Sequence, residues 1–466
     1  MTITSAKQIN LTKIQLPELT ELKRVPLTDE TLAARREKVL NLMKTKQLDS
    51  LVIYSDLEHG GNFEYLTGFV PRFEEALLVL HQDGRGFLLL GNENLNKADK
   101  ARLSAKAIHV PHFSLPNQPM TDDKPLTEYL VEAELKENTR VGLVGWKLFT
   151  SNHADNQSLF EVPYYLVAAL KNVVGEDNLS NETGLFIDSS QAGARTQNNA
   201  NEIAHYAFGA QLAGQGIFSA IKNLQLGVSE FEIGRQLNQL GQSNSVVTIA
   251  AFGERFKKAN LYPTEKKLML GETISLTVGY KGGLSSRAGY GVNEASELPE
   301  GQQDYLEKLA KPYFATVVTW LENLQVGQTG AEVYQLIEEA LPKATYHWHL
   351  NPGHLVADEE WLSSPIYPNS KEILTSGMLL QLDIIPSMAG YAGASCESTL
   401  CLADEKLQNE LKASYPILWQ AIQTRRAFLK DVLGIQISPQ LLPLSDTVAL
   451  YSPFMLQADQ VLTKKM

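Results

Sequence analysis

Two carboxylates in this chain sit where a charge is expensive. Asp383 lies inside the apolar run Met378-Leu379-Leu380-Gln381-Leu382-Asp383-Ile384-Ile385, and Glu397 lies inside Ser395-Cys396-Glu397-Ser398-Thr399-Leu400. Burying a carboxylate costs free energy unless it is paired, hydrogen-bonded or coordinating. Upstream, His354 follows glycine in Asn351-Pro352-Gly353-His354, where a histidine can point into a cleft. Histidine is the side chain whose ordinary pKa suits proton transfer near neutral pH. His347 and His349 flank Trp348 and read as structural. Arg287, in Gly282-Gly283-Leu284-Ser285-Ser286-Arg287-Ala288-Gly289-Tyr290, brings a permanent charge and a fork of donors that fits carboxylates. Each residue alone reads as a satisfied structural group. Together they make a set for acid–base work on a charged substrate.

Other chemistries are absent from the motifs. There is no GxGxxG after a strand, no P-loop, no GxSxG and no HExxH. Two cysteines, Cys396 and Cys401, are too few for a disulfide framework or a thiolate zinc site. They read as reduced thiols on one strand, facing opposite sides. The formal net charge of −12 argues against a nucleic-acid binder and against general attraction to anionic membranes. No run of 18 apolar residues occurs, and the N-terminus lacks a signal-type apolar core, so a cytoplasmic location is expected.

The elements that must position these residues fall into two groups. Residues 31–47 have helical spacing, and Leu51–Tyr54, Ala76–Leu80, Gly86–Leu90 and Val141–Val144 read as strands. The Asp83-Gly84 pair marks a turn between two of them. With a helix at about 157–174, this alternation predicts an α/β domain. The polar stretch after it places a boundary between about 176 and 192. Beyond it come long helices (197–222, 303–323, 330–340, 404–432) and separate strands (246–252, 273–280, 289–292, 378–386, 395–402, 448–451), which predict α+β. The expected division is a loose arm over 1–30, a first domain over 31–185, a second over 190–403 and a helical extension over 404–466.

Several stretches resemble, in the right order, the pita-bread superfamily (peptidase family M24), which includes aminopeptidase P, prolidase, methionine aminopeptidase and creatinase. Tyr65-Leu66-Thr67-Gly68-Phe69 resembles the YLTGF-like segment of the creatinase/prolidase N-terminal domain. Arg195 to Ile203 resembles the start of the catalytic domain's first helix. Gly271 to Gly279 resembles the strand with the first metal aspartate, and Gly353-His354 the metal-histidine turn. Gly377 to Pro386 and Glu397-Ser398-Thr399-Leu400 resemble the strands with the two metal glutamates. Gaps of 29 residues from His354 to Asp383 and 14 from Asp383 to Glu397 suit the prolidase-like branch. The resemblance implies an α/β creatinase/prolidase-like domain followed by an α+β pita-bread domain, with a homodimer as the usual assembly.

The sequence departs from the family where its two metals are held. Thr277 takes the first aspartate position, and the second falls at or next to Arg287. The upstream substrate-contacting histidine falls near Asn260, and a second histidine after the Gly-His turn falls near Trp361. Only His354 and Glu397 are kept, with Asp383 as a shortened equivalent. A divalent pair needs anionic ligands to offset its charge. Removing one and placing a cation in another's place disfavours metal by several kcal/mol even at an effective dielectric constant of ~20. The expectation is therefore a creatinase-like, metal-independent hydrolase of a small C–N-bonded substrate. His354, Asp383 and Glu397 would be catalytic, and Arg287, Asn260 and Thr277 would bind substrate. Arg287 is expected to bridge Asp383 and Glu397. Two alternatives remain: a manganese-, cobalt- or zinc-dependent aminopeptidase or dipeptidase, and a non-catalytic module that binds peptide or protein.

Overall fold

The computed structural model describes residues 1–21, 23–118, 120, 123–254 and 262–465. It divides into two compact units, residues 27–196 and residues 1–26 with 197–466.

The first unit is built on a six-stranded sheet. Its order is Lys106–His109, Gly86–Leu90, Ala76–His81, Ser50–Ser55, Val141–Val144, Leu179–Asn181. Ser50–Ser55 runs antiparallel to Ala76–His81 and parallel to Val141–Val144. These strands read as unbroken apolar runs because both faces are covered. Val52, Leu77, Val79, Phe87 and Leu89 pack in one cluster with Leu130 and Leu166, from the helices Leu126–Glu132 and Tyr164–Val174. Gly84, at φ 90°, supplies the left-handed residue of the turn expected there.

The second unit is built on a seven-stranded sheet. Its main path is His354–Leu355, Leu379–Leu382, Ser395–Leu402, Gly283–Tyr290, Thr273–Tyr280, Ile249–Phe252, and Leu441–Pro443 pairs with Ser395–Leu402 off that path. The helix Ala200–Lys222 packs on the two central hairpin strands. Asn199 caps its start and Glu202 returns the bond, so two otherwise unpaired N–H groups are satisfied. A Cβ at Gly209 would run into the Lys281 carbonyl, so only glycine lets the helix sit this close.

Three boundaries differ from expectation. The N-terminal residues are not a loose arm. Ile9–Lys13 pairs antiparallel with Gln460–Lys464, and the Thr4 amide donates to Thr319 Oγ1 at 2.9 Å. The division between units falls at 196/197 rather than 185/190, because the Leu179–Asn181 strand and the Gly184–Ile187 helix still belong to the first unit. Residues 404–466 are not a separate extension, since Leu441–Pro443 joins the sheet of the second unit. Val448–Tyr451 is not a strand either; Ala449 turns at φ 56°, and the Thr447 and Leu450 carbonyls are taken by Arg287. Among the described residues, no helix is long and apolar enough to cross a membrane.

One buried polar network ties the arm to the helices. Arg425 donates to Asp446 Oδ1 at 2.7 Å, to Gln211 Oε1 at 2.6 Å and to Thr20 Oγ1 at 2.9 Å. Gln211 in turn donates to Asp446 Oδ2 at 2.6 Å. Arg425→Ala would leave Asp446 buried without its cation, which costs about 3–5 kcal/mol. Urea denaturation of the variant should show that loss, and a loss under about 1 kcal/mol would mean that the ion pair is not buried as described.

Candidate functional site

The site is set by strand register. The hairpin of Thr273–Tyr280 and Gly283–Tyr290 closes through Lys281-Gly282, which fixes Thr277 opposite Ser286. Ser286 is also opposite Glu397 on the next strand. Three polar side chains therefore stand abreast on one face of the sheet. Thr277 Oγ1 lies 2.9 Å from Ser286 Oγ, and Ser395 Oγ donates to Glu397 Oε1 at 2.9 Å. Ser395 Oγ also lies 3.1 Å from Ser286 Oγ.

His354 enters from the strand at the end of the sheet, paired with Gln381. Gly353, at φ 132°, makes the bend before it. The ring is fully buried. Its Nδ1 lies 3.2 Å from the Leu355 carbonyl, which places the proton on Nδ1 and the lone pair on Nε2. Nε2 lies 3.7 Å from both Asp383 Oδ2 and Glu360 Oε1, and Trp361 stacks on the ring at 4.1 Å and 21°. His354 Nε2 and Asp383 Oδ1 are both buried without a hydrogen-bond partner.

Burial governs the charge state of this group. It pushes Asp383 well above the usual carboxylate range, and the nearby Glu397 and Glu360 carboxylates push it further. Glu397 is pushed up to about 7, again by burial, while hydrogen bonds from Ser395 and Ser286 and the Arg287 charge hold it back. Burial also raises Glu360. It lowers His354 to about 4, because a dry pocket disfavours the imidazolium. Near neutral pH, His354 is uncharged, Glu397 titrates, and Asp383 is held toward its protonated form. The cluster thus combines a carboxyl group biased toward its acid form, a neutral imidazole and a carboxylate able to take a proton.

The structure brings together His354, Asp383, Glu397 and Thr277 of the expected set. Arg287 is different. It sits on the opposite face of its strand and donates to the carbonyls of Leu450, Ser286, Glu397 and Thr447, with Nη1 also 3.5 Å from Ser285 Oγ. Its guanidinium is buried on the far face and engaged by backbone carbonyls, so the expected bridge between Asp383 and Glu397 is absent and the expected substrate contact is not presented to the site. The residue facing the site is Ser286. The two-residue hairpin loop was the available signal, since it fixes the partner of Thr277 by counting alone. Glu360 was missed because Asp358-Glu359-Glu360 reads as a solvated acidic run. Asn260 lies outside the described residues. Among those described, no group of three or more His, Cys, Asp or Glu side chains is arranged to hold a metal ion.

A family model described as the Creatinase/Prolidase N-terminal domain matches residues 35–187. Similar solved structures include Xaa-Pro dipeptidase from Bacillus anthracis, at TM-score 0.60 and 16% identity over 80% of this chain and 96% of that one. Prolidase from Pyrococcus horikoshii OT3 aligns at TM-score 0.61 and 14% identity over 79% and 95% of the two chains. The fold is the prolidase fold. A dipeptidase from Pyrococcus horikoshii OT3 agrees, at TM-score 0.60 and 19% identity over 80% of this chain and 95% of that chain. No curated protein matches the sequence. The likeness to these prolidase-type structures is one of fold, with the α/β creatinase/prolidase-type domain followed by a pita-bread domain.

Two tests follow. A carboxylate whose pKa is raised by folding gains stability as pH falls through its folded value toward its unfolded one, so Glu397 weakens the fold most above pH 7. Glu397→Gln should therefore be more stable than the parent by about 2–3 kcal/mol at pH 8 in urea denaturation. The gain should shrink to about 1 kcal/mol or less at pH 5 and vanish only below the ordinary glutamate value of 4.5; equal effects at pH 8 and pH 5 would overturn this account of the site. Because Arg287 does not pair with Asp383, Asp383→Ala should cost less than the ~3–5 kcal/mol of an orphaned buried cation.

Proposed function

We propose that this chain is a metal-independent hydrolase of a small molecule or short peptide joined through a C–N bond. What carries the proposal is one observation: His354 Nε2 and Asp383 Oδ1 are buried in the same cluster with no hydrogen-bond partner. Each such atom costs about 1–3 kcal/mol, which a polar substrate group placed between them would recover. Asp383, held protonated, would donate to the leaving nitrogen, and the His354 lone pair or Glu397 would accept a proton. Trp361, stacked on His354 and 37% exposed, would have to swing aside to admit substrate.

The prolidase-type fold implies a pair of divalent metals, and the donor set here fits them badly. Thr277 and Ser286 offer neutral hydroxyls where bridging carboxylates are expected. Asp383 and Glu360 are both held toward the protonated form by burial. No step is therefore assigned to a metal. One observation favours a second reading. Trp361 closes over a fully buried His354, and if it never opens, the fold serves as a binding platform for peptide rather than a catalyst.

The test is hydrolysis by protein dialysed against chelator and checked for metal content, with Xaa-Pro dipeptides and small amides as substrates. Turnover should persist in chelator and fall roughly 10²–10⁴-fold in Asp383→Asn and in His354→Ala. Activity that appears only with manganese, cobalt or zinc would overturn the proposal in favour of a metallopeptidase. Binding without turnover would favour the platform.

A further inference from the structure

A cavity of about 220 Å³ lies in the second unit, and none of its lining residues belongs to the His354 cluster. The helices Ala200–Lys222 and Pro416–Asp431 form its walls, and Thr20, Lys23 and Val25 of the N-terminal segment also line it. The space exists because the wall positions are small. Ala204 and Ala207, three apart and so on one face of the first helix, line it together with Ala421 of the second. Larger apolar side chains there would fill it, and close packing is the rule in protein interiors. Its inner end carries no free charge. Arg425 and Gln211 are buried there, and the guanidinium is engaged: Nε donates to Asp446, Nη2 to Thr20 and Gln211, and Nη1 to the Pro443 carbonyl at 3.2 Å. The mouth is different. Lys23, Ser414 and Ile417 line it and are exposed. Lys23 Nζ lies 3.8 Å from Glu21 Oε2, a surface pair that a competing anion can replace at little cost. The Tyr415 hydroxyl accepts from Asn201 Nδ2 at 2.9 Å, and among the described residues its own proton has no acceptor. An apolar interior therefore ends in a cation and a hydroxyl donor, the arrangement by which a few polar groups orient a ligand in a mostly apolar pocket.

We propose that this cavity binds a medium-chain carboxylate, with the alkyl chain inside and the carboxylate at the mouth on Lys23 and Tyr415. An apolar cavity of about 150 Å³ is enough to hold benzene, so this one suits a chain of about six to eight carbons. The chain gains by leaving water for the alanine-lined interior, and the charge stays in the solvent-facing end, where no buried ion has to be desolvated. A carboxylate accepts from both donors at once. An ammonium in its place would face Lys23 and leave the Tyr415 proton unmet. The site stands apart from the hydrolase reading and does not depend on it.

The test is calorimetric titration of delipidated full-length protein with butanoate, hexanoate and octanoate, and with octanol and octylammonium at the same salt. Affinity should rise about fourfold per methylene along the carboxylates. Octanoate should bind more tightly than either of the other eight-carbon probes. Lys23→Gln should weaken octanoate and leave octanol unchanged. Ala207→Leu should fill the cavity and weaken octanoate at least about tenfold, with its urea midpoint not lowered. If that variant does not fold, Ala421→Leu takes its place on the opposite wall. No octanoate binding in the millimolar range, an affinity indifferent to chain length, or binding undiminished in a folded cavity-filling variant would overturn the proposal. So would tighter binding of octylammonium, or a Lys23→Gln variant that treats octanoate and octanol alike, because the carboxylate would then not sit at the mouth.

Discussion

The constraint on which this site depends is the cost of ionising carboxylates in a dry place with no facing cation. Asp383 and Glu360 face one buried histidine, Glu397 lies close enough to act on Asp383, and the Arg287 guanidinium is turned to the other side of the sheet, onto backbone carbonyls. With a cation among them, the three acids would ionise and attract it. Without one, burial and mutual repulsion drive protons onto them. The same positions then become acids and hydrogen-bond donors. Their chemistry follows from the charge around them rather than from residue type.

Arg287 shows how one residue can serve structure at the expense of the site. Its guanidinium collects carbonyls from Thr447 and Leu450, from its own strand and from Glu397, so it fastens the 447–450 segment beneath the sheet. Buried carbonyls need donors, and few side chains supply so many at once. The pleat then decides the rest. If residue 287 faces the support, residue 286 must face the site, and the side chain there is a short neutral hydroxyl.

Much of this was legible in the sequence. The apolar strands around Asp383 and Glu397, the Gly353-His354 bend and the two-part organisation follow from local pattern, because buried strands and glycine turns are dictated by nearby residues. What was not legible depended on partners far along the chain. Ile9–Lys13 is a strand only because Gln460–Lys464 lies beside it. The face of Arg287 depends on carbonyls some 160 positions downstream. Glu360 joins the site through the fold of its loop against His354, and nothing in an acidic run announces that.

The closeness of packing bears on how such a site could work at all. His354 is wholly covered, with Trp361 flat against it, and its unpaired Nε2 faces two carboxyl groups at a distance too long for a hydrogen bond. A core evolved only for stability would close that gap, since an unmet buried polar atom is among the costlier defects a protein can keep. A gap lined by an acid, a base and a carboxylate is different, because a polar guest can meet all three at once. The stacked indole then has a use beyond packing. Stacked on the imidazole, it helps keep bulk water off the ring, and a dry pocket is what disfavours the imidazolium.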